Sequence, residues 1–120
     1  MPQISIEYST NIAATFDARR FAGEVHDRLV AIVETELASC KTRVIELGDV
    51  VIGDGSDAQA MIHVDLRILS GRTPAQKRQL GEAVVAALAA AVAKPEGLDL
   101  QLTVEVRDLD RDNYHKQRLR

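Results

Sequence analysis

Hydrophobic and polar residues alternate from the start of the chain, with Ile4, Ile6 and Tyr8 set against Gln3, Ser5 and Glu7. A period of two is that of a strand with one buried face. Ser9-Thr10-Asn11 then supplies turn and cap chemistry. Beyond it the period lengthens. Phe21, Val25, Leu29, Ile32, Val33 and Leu37 recur at helical steps, with Arg19, Arg20, Glu24, Asp27, Arg28 and Glu34 mostly between them. This predicts an amphipathic helix from about Asp17 to Ala38. Lys41-Thr42-Arg43-Val44-Ile45-Glu46-Leu47 reads as a second strand. Gly48, Gly53 and Asp54-Gly55 break the chain around the short run Val50-Val51-Ile52.

The second half repeats the plan. Ile62, Val64, Leu66 and Ile68 alternate with His63, Asp65, Arg67 and Leu69, and Ser70-Gly71-Arg72 forms a turn. Thr73 suits an N-cap, Pro74 the first helical position, and Gln76 the return contact of a capping box. Leu80, Val84, Leu88, Ala91 and Val92 carry an apolar stripe to about Ala93, where Pro95 and Gly97 end the helix. A last strand alternates Leu100, Leu102, Val104 and Val106 with Gln101, Thr103, Glu105 and Arg107. The tail from Asp108 to Arg120 is polar, with Leu109, Tyr114 and Leu119 as its main apolar anchors.

Strand–helix–strand thus occurs twice. The expected fold is α+β: two βαβ units forming one four-stranded sheet with both helices on one face. The opposite face would carry Ser5, Glu7, His63, Asp65, Arg67, Gln101, Thr103, Glu105 and Arg107. Such a face fits an open, solvated sheet. It fits equally the lining of a wet channel in an oligomer, and alternation does not choose between them.

Composition narrows the classes. At 120 residues, the expectation is one domain spanning residues 1–120. No apolar run approaches the roughly 20 residues of a membrane span, and the start lacks the pattern of a secretory signal. Cys40 is the only cysteine, which excludes an intramolecular disulfide and fits a reducing cytoplasm. His26, His63 and His115 are scattered, without the spacing of a metal site. A net charge of −3 and four aromatic residues argue against nucleic acid as the partner.

The candidate chemistry begins with Met1-Pro2. If Met1 is removed, the nitrogen of Pro2 becomes a free secondary amine, able to accept and donate a proton. The strand that follows would hold it in place. A plainer account is that proline is common at the second position and the end is loose. Arg72, beside Gly71 and just ahead of a capped helix, suits a carboxylate, because a helix N-terminus adds partial positive charge and free N–H groups. Lys41 and Arg43 add basic groups at the start of the second strand. Read singly, Arg72 is also a solvated turn residue, and Lys41 and Arg43 are surface charges.

Nearly the whole chain resembles the 5-carboxymethyl-2-hydroxymuconate isomerases of the tautomerase superfamily. The likeness is carried by Met1-Pro2 leading into a strand, Ser9-Thr10-Asn11-Ile12, Arg43-Val44, and His63-Val64-Asp65-Leu66-Arg67-Ile68. It continues through Gly71-Arg72, Val104-Glu105-Val106 and Asn113-Tyr114-His115-Lys116-Gln117. The resemblance implies that Pro2 carries the proton, that Arg72 holds a substrate carboxylate, and that the Lys41–Arg43 region supplies a second contact. Lys41 stands where the family pattern leads us to expect arginine. It also implies a trimer whose sheets enclose a central channel, and proton transfer on a carboxylated dienol or 2-oxo-enoate without a cofactor or metal.

Such a base must be neutral near pH 7 yet basic enough to take a proton. Burial and the charges of Arg72 or Lys41 would lower its pKa. The same cations would hold carboxylates and stabilise a developing dienolate. The expected role is an isomerase in aromatic-ring catabolism, a cytoplasmic homotrimer acting on a small carboxylate. The alternatives are a phenylpyruvate-type tautomerase or a dehalogenase using the same Pro2, or a non-catalytic trimeric βαβ module that binds a ligand.

Overall fold

The computed structural model describes residues 1–120. Strand β1 (Gln3–Ser9) leads through a 3-10 turn (Thr10–Thr15) into helix α1 (Ala18–Val33). A second short turn (Leu37–Ser39) precedes β2 (Lys41–Leu47), and β3 (Gln59–Leu69) follows a long connection. Helix α2 (Pro74–Ala91), strand β4 (Asp99–Leu109) and a last 3-10 turn (Arg111–Asn113) complete the order. The strands lie in the order β2-β1-β3-β4. Each βαβ unit pairs its own strands in parallel, and the units meet where β1 and β3 run antiparallel. The expected α+β sheet is present.

Register fixes what each face presents. Ile4 lies opposite Leu66, and Ile6 opposite Val64; all four are buried, with Phe21, Val25 and Leu29 of α1 and Leu80, Val84 and Leu88 of α2 in one apolar cluster. Both helices therefore pack on the same side. Burying a side chain such as Leu66 stabilises the fold by about 1.5–3 kcal/mol. At the other side, Arg107 grips Asp65 through Nε and Nη2 at 2.9 and 2.6 Å. Arg67 also lies 3.6 Å from Asp65, and the His63 ring shares a 2.7 Å hydrogen bond with Thr103.

Local chemistry explains the helix starts. Asp17 accepts from the Arg20 N–H at 3.1 Å. At α2 the capping box is complete: the Gln76 N–H donates to Thr73 Oγ1 at 3.1 Å, and the Thr73 N–H to Gln76 Oε1 at 3.0 Å. The end of α1 departs from the hydrophobic period, which runs on to Ala38. The helix stops at Val33 because Glu34 takes a left-handed conformation, φ 56° and ψ 36°. Leu37, expected on the apolar stripe, is 58% exposed. The chain has to turn here to lay β2 beside β1, and topology outweighs the stripe.

Other boundaries shift less. Helix α2 ends at Ala91, and Val92 instead forms a bridge with Phe16. Strand β3 begins at Gln59, before the alternating run, because β4 pairs with it over its whole length. The run Val50-Val51-Ile52 forms no strand, and Val51 is 79% exposed.

Candidate functional site

Everything the sequence singled out at the chain start is anchored by backbone. The Lys41 N–H donates to the Pro2 carbonyl at 3.3 Å, and Gln3 sits between Lys41 of β2 and Arg67 of β3. Pro2 is buried, whereas Met1 ahead of it is partly open. The amine at this site belongs to Met1 and stands one residue ahead of the Pro2 nitrogen.

Arg72 reaches the site from the β3–α2 turn. Gly71 before it has φ 118°, a conformation that glycine adopts without strain. The Arg72 guanidinium donates to the Val33 carbonyl at 3.0 Å and the Leu69 carbonyl at 3.3 Å. It therefore closes the end of α1 as well as acting on the chain start, and its remaining N–H groups make no hydrogen bond within the chain. Lys41 donates to the Ser39 carbonyl at 3.1 Å. Lys116, on the C-terminal tail, places Nζ 3.2 Å from the Met1 sulfur.

These charges act on the terminal amine. Burial, then the Arg72 guanidinium, push its pKa below the ordinary value, and Lys41 and Lys116 add to the effect. Ionised Cys40 would pull the other way, but burial pushes the Cys40 thiol up and so favours its neutral form. None of Arg72, Lys41 and Lys116 has a carboxylate partner: the ion pairs of the chain join Arg67, Arg107 and Lys77 to Asp65, Glu105 and Asp108. Unneutralised cations beside a partly buried amine form a place where an anion is attracted and a proton is held loosely.

Arg43 is not part of this cluster. It lies opposite Ser5, further along β2, and it is not among the charges acting on the amine. Lys116 is the residue that hydrophobic pattern and turn chemistry passed over. Its signal was charge, since no acidic residue follows Asp112 while Lys116, Arg118 and Arg120 do. No group of His, Cys, Asp and Glu side chains is placed to hold a metal ion. The hollows of the surface lie elsewhere. One of about 270 Å³ opens between Ser9, Asn11, Gly48, Asp57 and Gln59, at the far end of β1. That hollow has no lysine or arginine in its lining, and Asp57 is its one ionisable side chain.

The family model for 5-carboxymethyl-2-hydroxymuconate isomerase matches residues 2–119. The chain belongs to that family. It is an isomerase of the tautomerase type. No curated protein sequence matches the chain. Among solved structures, a 5-carboxymethyl-2-hydroxymuconate isomerase from Deinococcus radiodurans R1 is similar with a TM-score of 0.83 at 22% identity, over 97% of this chain and 88% of that one. A 5-carboxymethyl-2-hydroxymuconate delta-isomerase gives 0.75 at 22% identity, over 98% and 87%. A fused 4-OT wild-type symmetric trimer gives 0.72 at 23% identity, over 93% and 89%. At these identities the structural likeness shows the shared fold, and the family match carries the isomerase assignment.

Proposed function

We propose that this isomerase moves a proton on a carboxylated dienol or 2-oxo-enoate resembling 5-carboxymethyl-2-hydroxymuconate, without a cofactor, and that Pro2 is the acid–base group. Removal of Met1 would turn the buried Pro2 nitrogen into the terminal amine. The observation that carries this reading is the meeting of Arg72 and Lys41 at the chain start, each without a carboxylate partner. Lowering the amine pKa by one unit corresponds to about 1.4 kcal/mol in favour of the neutral base. The neutral nitrogen removes the proton from the dienol hydroxyl or the α-carbon. The resulting dienolate is held by the same cations, and the protonated amine returns the proton at the conjugated carbon.

Arg72 would bind one carboxylate and Lys41 another. Arg43, on the next exposed position of β2, would contribute from farther out. The site is open in a single chain, which favours a homotrimer in which a neighbouring copy completes it. The half-exposed Val44 and Ile45 of the β2 edge and the buried Gln3 Oε1, which has no hydrogen-bond partner, support such an assembly. A small carboxylate from aromatic-ring catabolism in the cytoplasm is the substrate class we favour.

Lys41 supports a second reading. It offers a point charge instead of an arginine fork, which suits a substrate with fewer carboxylates, as in phenylpyruvate-type tautomerism. Ultraviolet absorbance tests both. The conjugated dienol should isomerise with processed protein and not with protein carrying one residue before Pro2. Equal rates would remove Pro2 from the mechanism.

A further inference from the structure

The C-terminal tail is fastened across the chain start by contacts that the proton transfer does not use. The Asp110 carboxylate caps the Arg111–Asn113 turn, accepting from the Asp112 N–H at 3.1 Å and from Asn113 Nδ2 at 2.6 Å. Arg111 then ties this turn to Ser70, with Nε donating to the Ser70 carbonyl at 2.9 Å and the backbone N–H to Ser70 Oγ at 3.2 Å. The tail is thus bound to the turn that carries Arg72. Next, Gln3 Nε2 donates to the Tyr114 hydroxyl at 2.8 Å, which joins it to the first residue of β1. Two residues on, Lys116 Nζ rests on the Met1 sulfur at 3.2 Å.

A thioether is a weak acceptor, and Lys116 has no carboxylate within ion-pair distance. Loss of Met1 would remove that single contact and leave the ammonium facing the space ahead of Pro2. Three cations, from the start of β2, the β3–α2 turn and the tail, then converge without a counter-charge. Like charges gathered in this way repel one another unless a ligand of matching negative charge enters.

Resting on the reading of Pro2 as the proton carrier, we infer that Lys116 binds a third substrate carboxylate, beyond those assigned to Arg72 and Lys41, with Gln3 and Tyr114 as positioning residues. The substrate proposed above, resembling 5-carboxymethyl-2-hydroxymuconate, carries three carboxylates, and Lys116 is the residue that reads the third. Lys116 would then set the preference for three carboxylates over two.

The test is a calorimetric titration of the protein lacking Met1, with propane-1,2,3-tricarboxylate and glutarate as probes. Wild type should bind the tricarboxylate about tenfold more tightly than glutarate. Lys116→Gln should weaken the tricarboxylate about ten- to a hundredfold, as for loss of a charge-assisted contact, and change glutarate by about twofold or less. Lys116→Arg should keep the preference. Tyr114→Phe should reduce it part-way at an unchanged melting temperature, a charge-selective loss that a purely structural role would not produce. No preference in wild type, or an equal effect of Lys116→Gln on both probes, overturns the inference. Failure of Pro2 would show instead in the absorbance assay, so the two readings fall separately.

Discussion

The two ends of the central β1–β3 pair are related by the repeat of the βαβ unit, and they carry opposite chemistry. At the start of β1, the buried Pro2 and the amine ahead of it lie among Arg72, Lys41 and Lys116. At the start of β3, roughly 25 Å away along the strands, the corresponding corner is lined by Ser9, Asn11, Ser56, Asp57 and Gln59 around a hollow of about 270 Å³. No lysine or arginine stands in that lining, and the backbone nitrogen at the head of β3 is an ordinary amide. Symmetry of topology thus puts two similar corners in the molecule, and the proposed function places the acid–base group at the one that holds Pro2. The hollow thus lies where no anion-binding cation is present, and its one ionisable side chain is Asp57.

The largest expected effect comes from making the ends alike. Adding one residue before Pro2 turns its nitrogen into an amide, as at the head of β3, and should lower kcat by about 10²–10⁴-fold, the usual range for a lost acid–base group. Pro2→Ala keeps an amine, primary and less constrained, and should retain part of the rate. Steady-state kinetics on protein of verified intact mass would check both, and full activity in the extended form would abolish the contrast between the ends.

Arg72 comes next. Its replacement by alanine should cost about 1.5–3 kcal/mol in kcat/KM for a carboxylated substrate, and the melting temperature should also fall. The Val33 and Leu69 carbonyls lose their donor at the same time. Arg72→Lys restores charge without the planar fork, so partial recovery is expected. An uncharged enol as second substrate separates the effects, because equal losses on both would mean that Arg72 only supports the fold or tunes the base.

A smaller effect lies in the pH profile. Under the proposed mechanism the Pro2 amine works when neutral, so activity should rise with pH through its pKa. Burial and Arg72 lower the pKa of the Met1 amine one residue ahead, and the same causes would act on Pro2 once Met1 is removed. Lys41→Gln removes a cation, makes the protonated amine less unfavourable and raises its pKa. The ascending limb should therefore move to higher pH. Lys41 is exposed and screened by salt, so the move should be less than about one pH unit and should shrink in high salt. A move to lower pH would contradict this account of the electrostatics.

The smallest effects belong to the far corner. Asn11 Nδ2 donates to the Gln59 carbonyl at 2.8 Å, so Asn11→Ala should cost about 0.5–1.5 kcal/mol of stability and leave kcat/KM within about twofold. A large kinetic effect from Asn11→Ala or Asp57→Asn would transfer function to the hollow.

Much of this was legible in the residues. Alternation in β1, β3 and β4 located the strands because one face of each is buried, and Thr73-Pro74-Ala75-Gln76 placed the start of α2 through its cap. The stripe through Leu37 misled because hydrophobic period records which residues can be buried, and the return of the chain to β2 decides where the helix stops. In the candidate site, Pro2, Lys41 and Arg72 stood out by residue type and local context. Arg43 stood out equally, and pairing with Ser5 moved it away from the amine. Lys116 gave only a faint charge signal, since its importance depends on a contact with a residue at the other end of the chain.

The sequence by itself determined the elements, the βαβ repeat and the chemical distinctiveness of a proline directly after Met1. These follow from local causes: side-chain period, capping residues and the nature of an imino nitrogen. The tertiary structure decided which charges gather at the chain start. Arg72 arrives from the second βαβ unit, Lys41 from the far strand of the first, and Lys116 from a tail held by Gln3 and Ser70. Electrostatic tuning depends on distance through space, and no local pattern in the chain contains that distance.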